Sequence, residues 1–125
     1  YAWIGGIVGT MYKGVTDGEY PTVTNCYNCG IISITSGQTT REGGIVSGNG
    51  SSSNNPAGTI SNSYCTTETP YSYYYYSSGF KTSTEGRVDG ELLKGYASKL
   101  GDAFVEDTNN INKGYPILVW QIEQH

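Results

Sequence analysis

Gly5-Gly6-Ile7-Val8-Gly9 returns as Gly43-Gly44-Ile45-Val46-Ser47-Gly48, and that second statement decides how the chain is read. A second block follows each copy: Val23-Thr24-Asn25-Cys26-Tyr27-Asn28 after the first, Thr59-Ile60-Ser61-Asn62-Ser63-Tyr64 after the second. Gly43 stands one period after Gly5, and Asn62 stands almost the same period after Asn25. Self-similarity at a fixed period of this size marks a repeat architecture. The blocks also alternate almost evenly, with Gly43 midway between Asn25 and Asn62, so the expected coil is about 18 residues long.

Both blocks read as short strands. Ile7-Val8, Val23, Ile31-Ile32, Ile34, Ile45-Val46 and Ile60 are β-branched and stand among Gly, Asn, Ser and Thr, which punctuate strands with turns. No block holds enough apolar residues for a core of its own, and stacking lets small clusters merge. A glycine pair ahead of each Ile-Val suits a corner that needs positive φ or close backbone approach. Asn25 and Asn62 suit a second corner, because Asn tolerates the left-handed region. A compact β-sandwich with two look-alike hairpins is the other fold that regular short strands allow.

At 125 residues the chain is one domain's worth, enough for a modest core. Glycine supplies 18 residues, about twice ordinary usage and without a collagen-like period. Only 14% of residues are charged, so the surface must be largely Ser, Thr, Asn, Gln and Tyr. The net charge of −4, with seven basic residues scattered singly from Lys13 to Lys113, argues against a nucleic-acid partner. No apolar run approaches the length of a bilayer span, so no membrane insertion is expected. The sequence opens inside a repeat, which reads as a piece of a longer, multidomain chain. A composition low in charge and rich in Thr, Asn, Gly and Tyr is associated with exported bacterial surface proteins.

Cys26, Cys29 and Cys65 are the only cysteines. The Cys26-x-x-Cys29 spacing suggests redox or zinc chemistry, but no βαβ setting accompanies it, and the one histidine is the terminal His125. Small apolar fillers of the interior is the expected role. Cys65 aligns with Asn28 and Cys29 with Thr66, which leaves a Cys29–Cys65 disulfide geometrically open.

Five tyrosines in six positions, Tyr71, Tyr73, Tyr74, Tyr75 and Tyr76, cannot all face one way on an extended segment. Exposed, they form a ligand-binding patch able to stack on sugar rings or anchor a protein. Packed, they form an aromatic pad on the outside of the repeats or their cap. Beyond them the period changes. Asp89 can N-cap one helix carrying Leu92, Leu93, Tyr96, Ala97 and Leu100, with Gly101 as its stop. Ala103-Phe104-Val105 is a short apolar run, and residues 115–120, Tyr-Pro-Ile-Leu-Val-Trp, read as a final strand. A non-repetitive end with bulky apolar residues suits a cap over the last coil.

The glycine blocks, with Val23 to Gly30 and Ile60-Ser61-Asn62-Ser63-Tyr64, resemble GLUG-type repeats of large bacterial surface proteins. Residues 100–105 and 110–121 resemble the segment that closes such arrays. That likeness covers about residues 1–66 and 89–121, with the tyrosine insert departing from it, and is found in adhesin-like and glycan-active proteins of Gram-positive gut bacteria. The resemblance implies an exported, non-catalytic β-solenoid module, with no agreed ligand and no catalytic residues to carry over.

The residues agree. His125 at the terminus makes a poor triad base, and Asp102, Glu106 and Asp107 are the only carboxylates that cluster. The Asp107–Asn112 stretch has the oxygen-rich look of a calcium loop, but Ile111 stands where an oxygen donor is needed and Leu118 where an acid is needed; a plain Asn/Gly turn also explains it. Threonines are too scattered in the sequence for an ice-binding array.

The expectation is therefore a mainly β chain: a short parallel β-solenoid, β-helix-like, over residues 1–85 with a Tyr-rich insert at 69–80. Residues 86–125 form a C-terminal cap with one short helix, packed on the last coil as part of a single structural domain. No catalytic residue, cofactor or metal is expected. The expected role is a structural, adhesion-type module at the extracellular bacterial surface, its partner a glycan or host surface protein. The rival is a carbohydrate-binding accessory module of a larger glycan-active enzyme, using the five tyrosines.

Overall fold

The computed structural model describes residues 2–12, 20–31, 40–49, 58–66 and 86–123. In the first repeat Gly5 of the glycine pair ends β1 (Ala2–Gly5), Gly6-Ile7 bends into β2 (Val8–Met11), and β3 (Thr22–Thr24) and β4 (Tyr27–Asn28) follow. The second repeat supplies the same set: β5 (Thr40–Gly43), β6 (Val46–Asn49), β7 (Thr59–Ser61) and β8 (Tyr64–Thr66). Asn25 and Asn62 take the left-handed corners, with φ of 59° and 47°. The glycine pairs are required by crowding and not by positive φ. A Cβ on Gly6 would strike the Gly44 carbonyl and the Asn28 side chain, and one on Gly43 would strike the Val46 carbonyl.

Each strand of the first repeat pairs in parallel with its counterpart in the second. Gly5 meets Gly43, Val8 meets Val46, Val23 meets Ile60 and Tyr27 meets Tyr64. Look-alike antiparallel hairpins would not give this pattern. The offset falls by one between the Met11–Asn49 and Thr22–Thr59 pairs, so the intervening connection is one residue shorter in the second repeat.

This pairing corrects the expected spacing of about 18 residues, because a strand meets its partner a whole repeat away and not half of one. The core gives the reason. Met11, Val23, Ile45, Val46 and Cys65 form one buried cluster, with Val8, Cys26 and Ile60 against it. The glycine block and the asparagine block thus bury their apolar residues in one shared core. One further expectation changes here: Ile31 is exposed outside any strand, while β6 runs on through Gly48 and Asn49.

β9 (Arg87–Val88) extends the β4–β8 pair into a three-stranded parallel sheet. Asp89 then caps α1 (Gly90–Leu93) through the Glu91 N–H at 2.9 Å. The single expected helix is two, with α2 (Ala97–Leu100) set off by a break at Gly95. The Gly95 and Tyr96 N–H groups bond three residues back, to Leu92 and Leu93. The break buries Leu93, Ala97 and Leu100 and turns Leu92 out to solvent, 62% exposed, against the shared apolar face expected of them.

β10 (Phe104–Val105) pairs antiparallel with β11 (Ile117–Leu118). The expected strand over 115–120 keeps only two residues. The Leu118 N–H donates to Gln121 Oε1 at 2.7 Å, and α3 (Val119–Ile122) begins, placing Trp120 on a helix. Among the described residues the chain is mainly β, with small sheets and three one-turn helices, where one was expected in the cap.

Candidate functional site

The expected patch of Tyr71, Tyr73, Tyr74, Tyr75 and Tyr76 lies outside the described residues. The aromatic concentration that is described forms a joint between the repeats and the C-terminal segment. Tyr27 and Tyr64, registered neighbours on β4 and β8, both project toward that segment. The Tyr27 hydroxyl donates to the Pro116 carbonyl at 2.6 Å and accepts from Asn112 Nδ2 at 2.8 Å. Its ring meets Phe104 edge-on at 6.0 Å and stacks on Tyr115 at 6.5 Å. Tyr64 meets Tyr96 edge-on at 5.0 Å. The C-terminal segment therefore grips both repeats.

Charge around the joint follows its packing. Burial, chiefly, pushes the Tyr27 phenol above its ordinary pKa, helped by the neighbouring Cys29 and opposed by the Asn112 hydrogen bond. Lys94 lies 5.5 Å from the Tyr115 ring centre and Lys99 lies 5.1 Å from that of Tyr96. Glu91, bonded to Lys94 at 2.9 Å, raises the ammonium's pKa.

Asp107 organises the adjoining turn. Its Oδ1 accepts the Ile111 N–H at 2.7 Å, and its Oδ2 accepts those of Asn112 at 2.6 Å and Gly114 at 2.9 Å. Partial burial pulls the carboxyl's pKa up, but these three donors outweigh it and leave the group below its ordinary value. Asn110, Lys113 and Gly114 take positive φ around it. This is the turn reading of the stretch, with both carboxylate oxygens committed to backbone. Among the described residues, no three of His, Cys, Asp and Glu come together as a metal site.

Beside the turn lies a cleft of about 400 Å³ lined by Val105, Ile111, Ile117 and Ile122, with Glu106, Thr108 and Asn109 at its polar edge. In the repeats, β3 and β7 present Thr22 beside Thr59 and Thr24 beside Ser61, all exposed. Ser61 Oγ donates to Thr24 Oγ1 at 3.1 Å, so part of the hydroxyl set is satisfied internally. This pairing was hidden in the sequence, where threonine looks scattered until the register between the repeats is applied.

Cys26, Cys29 and Cys65 are thiols. Cys65 is in the core and Cys26 packs on it, the filler role expected of them; Cys29 stands apart, half-buried. No described helix is long and apolar enough to cross a membrane. Comparison with family models, with curated proteins and with solved structures finds no match.

Proposed function

We propose that this chain is a segment of a parallel β-solenoid, each coil one full repeat long, serving as a non-catalytic structural module of an exported bacterial surface protein. The observation that carries the reading is strand-for-strand parallel pairing of two repeats at four successive positions. A module of this kind works by stiffness: each coil is fixed by its neighbour, and the C-terminal segment holds both through Tyr27 and Tyr64. The GLUG-type likeness of the repeats and of the closing segment supports the extracellular setting. A glycan or host protein would be the partner of the whole surface protein.

The test is retention. The purified chain is passed over immobilised plant and host polysaccharides and extracellular-matrix proteins, and incubated with the same glycans to look for released sugars. A structural module gives neither retention nor products. Glycan retention that disappears in Tyr73→Ala/Tyr75→Ala would overturn this reading in favour of a carbohydrate-binding accessory module.

A further inference from the structure

We infer that the cleft beside the Asp107 turn is a binding site for a small aliphatic amine, its hydrocarbon body against the isoleucines and its ammonium at Glu106. The site lies wholly in the C-terminal segment and does not depend on the structural role of the repeats. Its interior is aliphatic and is assembled from three directions. Val105 and Ile117 stand directly opposite on the antiparallel strands β10 and β11, so their side chains share one face. Ile111 comes from the turn and Ile122 from α3. Two of these walls are fixed by hydrogen bonds of their own. The Ile111 N–H donates to Asp107 Oδ1 at 2.7 Å, and the Leu118 N–H donates to Gln121 Oε1 at 2.7 Å where α3 starts. The cleft is thus formed before a ligand arrives, which lowers the entropy lost on binding. Its volume of about 400 Å³ lies at the small end of ligand sites, room for one branched group and not for a row of side chains.

The lining selects the chemistry of the ligand. Among the described residues no aromatic ring lines the cleft, so it offers a sugar no face to stack upon. Ile117 is closed off at 2% exposure, but Ile122 is 44% exposed, and an apolar group seated there would cover hydrocarbon that now faces water. The polar edge carries a single charge. Glu106 is exposed, and among the described residues no ion pair holds its carboxylate. The carboxylate of Asp107, next in the chain, is committed to three backbone N–H groups instead. Thr108 and Asn109, also exposed, place a hydroxyl and an amide oxygen at the same edge. An ammonium has three N–H donors and no acceptor, which matches a carboxylate flanked by two neutral acceptors. A fatty-acid carboxylate or a phosphate would meet Glu106 as a like charge, and a free amino acid would bring its own carboxylate to that edge.

The experiment follows the methyl resonances of the full chain by NMR as 3-methylbutylamine is added at neutral pH. Two matched probes accompany it, 3-methylbutanol without charge and 3-methylbutanoate with the opposite charge. Saturable shifts should centre on Val105, Ile111, Ile117 and Ile122, with millimolar affinity for the amine. The alcohol should bind about 3-fold more weakly, the size expected of one exposed ion pair, and the carboxylate more weakly still. Glu106→Gln should bring the amine down to the alcohol's affinity and leave the alcohol unchanged, a split that a structural role for Glu106 would not produce. Ile122→Ala should weaken amine and alcohol alike. If that variant misfolds, Glu106→Gln, at an exposed side chain, still decides the matter. Absence of saturable shifts at the cleft methyls would overturn the inference. So would equal affinity for amine and carboxylate, or an amine affinity that Glu106→Gln leaves untouched. Binding of a leucyl-lysine peptide without binding of the amine would overturn it as well, because the cleft would then dock a protein segment.

Discussion

Ile7 and Ile45 are the same residue type at the same place in consecutive repeats, and they should respond very differently to truncation. Ile45→Ala removes three carbons from a side chain that is 1% exposed. At ~0.8 kcal/mol per buried methylene the transfer loss is about 2.4 kcal/mol. The cavity left among Met11, Val23, Val46 and Cys65 adds to it, for a total of about 3–4 kcal/mol. Ile7 is 45% exposed, so roughly half of the transfer loss applies and no closed cavity forms, giving about 1 kcal/mol. Both variants are measured by urea unfolding, with thermal melts as a check. A chain of this size should lose roughly 10–15 °C with Ile45→Ala and roughly 4 °C with Ile7→Ala. Equal losses, or a larger one at Ile7, would refute the claim that the second glycine block supplies the core and the first stands at its edge.

Three other perturbations probe the joint and the corners. Asp107→Ala should lower the melting temperature at pH 7; because the native pKa is depressed, that stabilisation is complete above the unfolded carboxyl value of about 3.9 and fades as pH falls through the native one. The gap between wild type and variant should therefore narrow in acid. Tyr27→Phe leaves Asn112 Nδ2 and the Pro116 carbonyl without that partner, and exchange of the β10 and β11 amides should quicken. The raised phenol pKa puts its stabilising effect fully in place below pH 10.0 and removes it as pH climbs through the native value, which absorbance titration of the phenolate can follow. Gly6→Ala should be strongly destabilising because its Cβ meets the Gly44 carbonyl, while Gly95→Ala, with nothing nearer than the Leu92 carbonyl at 3.6 Å, should be neutral or gain up to about 1 kcal/mol. Melting temperatures of the pair decide it.

The repeat was legible because it is spelled twice in residues with few other uses. A glycine pair before Ile-Val marks crowding, and Asn25 and Asn62 mark left-handed corners, so partners could be matched from the sequence alone. The distance between paired strands was not legible. Evenly alternating blocks suit pairing either half a repeat or a whole repeat away, and the register of Val8 on Val46 and Val23 on Ile60, with the shared cluster of Met11, Val23, Ile45 and Val46, separates these. In the C-terminal part, Asp89 and Gly101 gave the outer limits of the helical stretch, and Gly95 held the break inside it. The strand expected over 115–120 failed because its β-branched composition says nothing of the Gln121 side chain, which starts a helix directly after Ile117-Leu118. Tyr27 as a joint was beyond reach for a plainer reason: its partners lie 85 and 89 residues away, and no local pattern announces them.

That long reach matters for how the molecule holds together. Each repeat offers few apolar side chains, and its outward strand positions, such as Thr22, Thr24, Thr59 and Ser61, are hydroxyl-bearing and exposed. Pairing two such repeats leaves a narrow core, so much of the stability must come from whatever crosses between them. Inside, Asn28 ties the two glycine corners together; outside, Tyr27 and Tyr64 engage one continuous segment from Tyr96 to Pro116. A segment that grips successive repeats at once couples their unfolding, because releasing either layer exposes the aromatic faces that secure the other. The C-terminal segment is then less a lid than a splint, and loosening it at Tyr27 should lower the protection of both repeats together.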